Sequence, residues 1–388
     1  MMSSLIPGYL LLATLPFGIA LQKASTALAV VWLSITIQPI KSMSTSSKIA
    51  CFLWLWMGFI SFYHHDFKQM GSWMFGHLEW WLLPILICQK QVLQIQQWER
   101  AHKILTTGAI FLSLVVINQY CFGWRIQGTE FIPSEFRPRG FFSHPLNLAY
   151  STLIGWPLAL SLWFRKKDLR NTLFLFAVTT ILALTMSRTV QAVALCAGVW
   201  TLLTLVTPSS RKKVLIGGLL LTSIILITPN PIGQKFIETW TIGLDRHSHY
   251  TFDRIAFWDV HWHMFQEQPL IGHGTLQNNQ TRLPWYALRG LPNFSKPYPA
   301  HNMYLQFLVE GGLIAGSLFL LWIASIYRDI SKIVNFNHKN ICFITWTSFV
   351  FAAMTQNAFQ DSTVRLCLSL LLCFIALTLK YQKNSSQR

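Results

Sequence analysis

Apolar runs of membrane-crossing length recur from one end of this chain to the other, and nothing else in it constrains the fold so strongly. A helix needs roughly 17 residues or more to cross a bilayer. Read near that limit, the sequence holds candidate spans at 5–21, 26–40, 49–63, 73–88, 104–122, 146–164, 171–186, 189–207, 214–229, 303–326, 341–358 and 364–380. A backbone with no water around it must satisfy its own N–H and C=O groups, so each run is expected to be helical. Of the 388 residues, 52% are hydrophobic and 12% charged, with mean hydropathy +0.40; soluble domains carry about 25% charged residues. The expected fold is therefore an all-α polytopic membrane protein with about twelve transmembrane helices.

Lys and Arg number 31 against 14 Asp and Glu, a net charge of +17. That excess resembles a nucleic-acid signal, but its distribution argues for membrane topology. The basic residues fall in short clusters between apolar runs, such as Arg165-Lys166-Lys167 and Arg211-Lys212-Lys213, as cytoplasmic loops do under the positive-inside rule. With both termini placed in the cytoplasm, most of the positive charge lies on that side, and no nucleic-acid partner is expected. The first positive charge is Lys23, so the run from Leu5 to Leu21 reads as a retained span rather than a cleaved leader. The seven cysteines lie in or beside apolar runs without metal spacing and read as small buried hydrophobes.

The division expected is 1–145, N-terminal transmembrane helices with a first outward loop; 146–229, further transmembrane helices; 230–300, one large periplasmic loop; and 301–388, C-terminal transmembrane helices. The long loop is aromatic enough to pack as a small cap. Ile255, Trp258, Trp262 and Phe265 recur at helical spacing, and Pro269 with Gly272-His273-Gly274 ends that helix. The earlier outward loop, 123–145, carries Arg125, Arg137, Arg139 and His144.

Polar residues at membrane boundaries are functional suspects because burying them is costly. Arg188, in Ser187-Arg188-Thr189, joins two apolar runs. It could snorkel to headgroups or present its guanidinium fork to a phosphate. Arg254 sits on the loop helix between Asp253 and Trp258, where a structural ion pair is the plainer reading. His301 precedes the run 303–326 and could simply begin that helix, or serve as a general base. Asn302 follows it, and Glu310-Gly311-Gly312 interrupts the helix it begins. The pairs His247/His249 and His261/His263 lack supporting ligands, so no metal site is expected. No phosphate-binding loop, nucleophile elbow or dinucleotide fingerprint occurs.

Three pieces together resemble the O-antigen ligase and O-antigen polymerase superfamily of bacterial envelope proteins. They are Ser187-Arg188-Thr189; Arg254 and Trp258 with Gln268-Pro269-Leu270-Ile271-Gly272-His273-Gly274; and His301-Asn302-Met303-Tyr304-Leu305-Gln306 running into Glu310-Gly311-Gly312-Leu313. The resemblance covers about the C-terminal two-thirds of the chain. It implies a membrane-embedded, GT-C-like glycosyltransferase of the bacterial inner membrane with its site facing the periplasm, needing neither metal nor cofactor. The implied donor is a glycan on undecaprenyl pyrophosphate, the acceptor a lipid A–core sugar, and the surroundings membrane lipids. Carried onto this chain, Arg188 and Arg254 would hold the pyrophosphate and His301 would deprotonate the acceptor, with inversion. Arg137, Arg139, Asn302 and Glu310 would assist substrate binding. A polymerase extending the lipid-linked glycan and a transferase to protein hydroxyls share the same donor chemistry. A multi-span transporter is the reading from another class, and the absence of paired halves counts against it.

Overall fold

Short polar side chains begin these helices and apolar faces hold them together. The computed structural model describes residues 44–65, 67–77, 82, 95–123, 137–142, 144–206, 209–212, 215–216, 249–275, 282–288, 298–357 and 362–385. Its helices are α1 (Thr45–His64), α2 (Phe67–Gly76), α3 (Ile95–Phe122), α4 (Pro145–Arg165), α5 (Leu169–Leu184), α6 (Arg188–Leu205), α7 (His249–Glu267), α8 (Leu283–Leu288), α9 (Met303–Ser331), α10 (Phe336–Ala352) and α11 (Ser362–Ser385). Ser44, Asp168 and Asn335 each accept a hydrogen bond from a backbone N–H of the first turn of α1, α5 and α10. Each cap satisfies a donor that the helix itself leaves open.

Helices α1, α6 and α9, together with Glu99–Phe122 of α3, are long and apolar enough to cross a membrane; α5 is apolar but shorter. The expected spans 49–63, 104–122, 146–164, 171–186, 189–207, 303–326, 341–358 and 364–380 coincide with α1, α3, α4, α5, α6, α9, α10 and α11. Those at 5–21 and 26–40, nearly all of 214–229 and most of 73–88 lie outside the described residues. Among the described residues every regular element is helical.

α9 runs through the middle of the packing. It lies along α1 on one side, receives α7 near its start, and touches α10 and α11. α4 packs against α5, α6, α10 and α11, and α3 lies on α5. The core where these helices meet is aromatic: Trp322 and Trp346 meet edge-to-face with centroids 5.5 Å apart, and Phe307 stacks on Phe319 at 4.5 Å. Such pairs add about 0.5–1.5 kcal/mol each beyond the area they bury. Hydroxyls inside the bundle return to their own helix, as Thr201 does to the Ala197 carbonyl and Ser348 to that of Ile344. Large apolar side chains also line the outer flanks: Phe52, Phe59, Leu114, Phe176, Leu320 and Phe351 are all exposed. Helices apolar on both faces suit a lipid surround.

Candidate active site

The turn that carries Arg188 is built from the carbonyls that α5 leaves open. Thr185 and Met186 end that helix, Met186 in the left-handed region (φ 49°), and the chain re-enters helix at Arg188. The Gln191 amide donates to the carbonyls of Leu182 and Ala183 at 3.3 and 2.9 Å. Arg137 donates through both Nε and Nη2 to the Thr185 carbonyl, at 2.9 and 2.8 Å. Two side chains therefore satisfy groups that a helix end cannot, and the reversal is held tightly enough for Arg188 to stand exposed at its apex. The segment just after Arg137 is itself held by a buried amide. Gln119 accepts from the backbone N–H groups of Arg139 and Gly140 and donates to the Gly140 carbonyl, while Phe142 packs among Leu112, Val116, Leu148 and Ile181. Arg137 thus braces the Arg188 turn, and Arg139 is half-buried beside it.

Arg254 comes from α7. That helix buries Phe257, Val260 and Met264 against Tyr286 and Val309, with Leu305 alongside. Arg254, Phe257 and His261 fall at i, i+3 and i+7, hence on one face. The Phe257 ring lies 5.7 Å from that of His301, and Tyr298 closes the group at 5.3 Å from Phe257 and 6.1 Å from His301. The helix expected from Ile255, Trp258 and Trp262 is present, yet Ile255 and Trp262 point outward and the opposite face makes the core contacts.

His301 occupies the left-handed region (φ 48°), a conformation that a non-glycine residue rarely adopts. It is locked from both sides. On the preceding residue, the Ala300 N–H donates to Gln306 Oε1, which also accepts from Asn357 Nδ2, both at 3.1 Å. On the following residue, Asn302 Oδ1 caps α9 by accepting from the N–H groups of Tyr304 and Leu305. The ring itself pairs through Nδ1 with Gln356 Oε1 at 2.8 Å. The turn bearing Gln356 is fastened by the Met303 N–H to the Ala353 carbonyl (3.0 Å) and by the Tyr150 hydroxyl to that of Ala352 (2.9 Å). Glu310 is only 4% exposed and accepts from Gln306 Nε2. Asn302 and Glu310 therefore carry the scaffold beneath His301.

The Gly311-Gly312 pair breaks α9. Gly312 has φ 68° and ψ −166°, a conformation essentially reserved for glycine. The segment after α7 fills the break: Leu313 N–H donates to the Pro269 carbonyl, His273 N–H to Val309 and Gly274 N–H to Glu310, at 2.7–2.9 Å. From α1, Trp56 Nε1 donates to the Gly311 carbonyl at 2.9 Å. The two backbones approach so closely that a β-carbon on Gly272 would meet the Glu310 carbonyl carbon at 2.6 Å, and one on Gly312 the Leu270 oxygen at 2.1 Å. Two motifs distant in sequence are one joint.

These pieces gather the cations at one end of the bundle. Burial lowers the pKa of Arg137, and the charges of Arg188 and Arg254 lower it further. Burial likewise lowers that of Arg254, with Arg188 adding to the effect. Mutual repulsion among three guanidinium groups means that they share one region, and a bound anion would relieve it. Burial also lowers the pKa of His301, opposed by the Gln356 hydrogen bond and reinforced by Arg254 and Arg282. The imidazole is therefore neutral near pH 7 and able to accept a proton. His144 faces the same region: burial and the charges of Arg137, His301 and Arg139 depress it. Its Nδ1 accepts from the Leu146 N–H at 3.1 Å.

Residues 173–320 match the family model described as O-Antigen ligase. Over that stretch, somewhat over a third of the chain, it is similar to the O-antigen ligase family. No curated protein matches the chain. The matched stretch contains Arg188, Arg254, His301, Asn302 and Glu310, whereas Arg137, Arg139, His144 and Gln356 lie beyond its ends. Sequence pattern alone does not single out Gln356 or Arg282. The available signal for Gln356 was a pair of amides, Gln356-Asn357, at the end of an apolar run. Arg282 is 3% exposed and feels the charge of Glu310, a relation that spacing alone does not reveal.

Proposed function

We propose that this protein transfers a glycan from undecaprenyl pyrophosphate to a lipid A–core sugar at the periplasmic face of the inner membrane. The observation that carries the reading is the convergence of Arg137, Arg188 and Arg254 from three separate segments beside the neutral imidazole of His301. A pyrophosphate leaving group develops negative charge as its bond to the sugar breaks, and fixed guanidinium groups stabilise that charge without reorganising. Arg188 and Arg254 serve as the pyrophosphate clamp, and Arg137 is oriented toward the same charge by its bond to Thr185.

In the step, the acceptor hydroxyl oxygen attacks the anomeric carbon from the face opposite the pyrophosphate. The new C–O bond forms as the old one breaks, and its electron pair leaves on the pyrophosphate. The hydroxyl proton passes to Nε2 of His301, and the anomeric configuration inverts. Arg139, Asn302 and Glu310 act around this centre, the last two by holding the His301 backbone and the α9 break.

His301→Ala is the direct test. It is expected to insert in the membrane at normal level and to attach no glycan to lipid A–core, read as loss of the lipopolysaccharide ladder; a normal ladder would overturn the reading. Deleting the whole chain separates the related activities. Unsubstituted core beside long lipid-linked polymer is the expected outcome, whereas core bearing a single repeat unit would identify a polymerase instead.

A further inference from the structure

The imidazole of His301 has two nitrogens, and only one can receive the acceptor's proton. Gln356 Oε1 carries no hydrogen, so the 2.8 Å contact requires Nδ1 of His301 to be the donor. In the neutral ring the other nitrogen then holds the lone pair. Among the described residues no hydrogen bond involves Nε2. We propose that Gln356 is a positioning residue for His301, its amide oxygen fixing the Nδ1–H tautomer and leaving Nε2 to take the proton. This rests on the transferase reading given above.

The amide is well placed to do so. Its turn is tied to α9 by the Met303–Ala353 bond, to α4 by the Tyr150 hydroxyl, and to Gln306 through the neighbouring Asn357. Three anchors, two from α9 and one from α4, leave the turn of Gln356 little freedom, and a partner that cannot swing holds the ring at one angle. The groups facing His301 are Arg254 and His261 of α7, Arg282, and His144 at the start of α4. Burial takes His261 down to about 3, so it stays neutral; the two arginines supply the positive field.

That field explains why an amide suits this position. A carboxylate on Nδ1 would ion-pair with the imidazolium formed in the step and retain its proton. A neutral oxygen orients the ring equally well and lets the surrounding positive charge expel the proton once transfer is complete. The partner chosen thus sets the tautomer without raising the basicity of the ring as strongly as an anion would.

The test uses the full chain in lipid nanodiscs with a lipid-linked glycan donor and a lipid A–core acceptor. Gln356→Leu keeps the size and removes the acceptor oxygen; kcat is expected to fall on the order of 100-fold while both KM values hold, as for loss of the correct tautomer in general-base catalysis. Gln356→Glu is expected to retain transfer and to shift the acidic limb of the kcat–pH profile to higher pH. Wild-type kcat in Gln356→Leu, an unmoved limb in Gln356→Glu, or a change confined to KM would each overturn the proposal. Imidazole 15N shifts of His301, recorded without substrate, read the tautomer directly. Nδ1–H in the wild type and its loss in Gln356→Leu support the role, and Nε2–H in the wild type refutes it. If the wild type transfers no glycan, it is the transferase reading that fails, and the 15N result still decides the role of Gln356.

Discussion

Arg188 stands exposed at the apex of a turn whose stiffness comes from other residues, Arg137 and Gln191, closing the end of α5. A side chain presented in this way is preorganised, and its planar fork can meet two phosphate oxygens at once. A lysine at the same place would keep the charge and lose the fork. Arg188→Lys is therefore expected to cut kcat/KM at least about tenfold, corresponding to roughly 1.4 kcal/mol or more of lost transition-state stabilisation. Activity equal to wild type in a donor-saturation assay would show that a point charge suffices. Arg254 entered as a candidate through the family resemblance, while Arg188 and His301 were conspicuous in the sequence as a charge and an imidazole beside apolar runs. Gln356 was not, because an amide at a helix end is ordinary until a ring nitrogen is found opposite it. Asn302 and Glu310 were noticed for their polarity, but only the fold shows that both face inward to the scaffold.

Among the elements, α9 is the one on which the others depend. Its break at Gly312 would leave carbonyls and N–H groups open inside the bundle, and the chain after α7 closes them from outside the helix. Gly312→Ala must either relieve a 2.1 Å contact with the Leu270 oxygen or abandon the positive φ. Either way the joint opens. We expect a loss of at least about 2 kcal/mol, combining the strain of a glycine-only conformation with unsatisfied backbone groups. The measurement is thermal unfolding in detergent, and an unchanged midpoint would show that the joint yields freely. The sequence displayed both halves of the joint, as a Gly-His-Gly turn and a Glu-Gly-Gly interruption, and the helix between Phe252 and Gln268 was legible from its aromatic spacing. That the two halves bond to each other was not legible, since backbone pairing leaves no mark on side-chain pattern. The exposed stripe of α7 misled for a related reason: Trp262 and Ile255 keep helical spacing whether they face protein or not.

For the whole molecule, one group of basic residues surrounds the candidate site and a second lies at the opposite end of the bundle. Arg165 ends α4 and Lys166 and Lys167 follow it, and Arg328 and Lys332 close α9, while the ring of His301 and the Arg188 turn lie where α4 and α9 begin. We propose, from the short basic clusters that join apolar runs, that the end bearing Arg165 to Lys167 is cytoplasmic and the candidate-site end periplasmic. With the native cysteines replaced, Lys166→Cys is expected to resist a membrane-impermeant maleimide in intact spheroplasts and Tyr298→Cys to react. The reverse pattern would invert the assignment. Helical character and approximate span positions could be read from apolar runs because lipid imposes them on any sequence that crosses it. The order in which spans pack could not, because a helix apolar on every side carries no record of its neighbour. The core of Trp322, Trp346, Phe307 and Phe319 is visible only after folding.

The joint at Gly272, Gly274 and Gly312 has a consequence for the history of this kind of chain. Segments about forty residues apart in sequence answer to a single steric requirement, so neither can drift alone. A relative that places a side chain at the position of Gly312 should also have remodelled the stretch around Leu270, and one that has lost the Gly-His-Gly turn should no longer need a glycine in its broken helix. Paired replacement, rather than independent variation, is the pattern to look for.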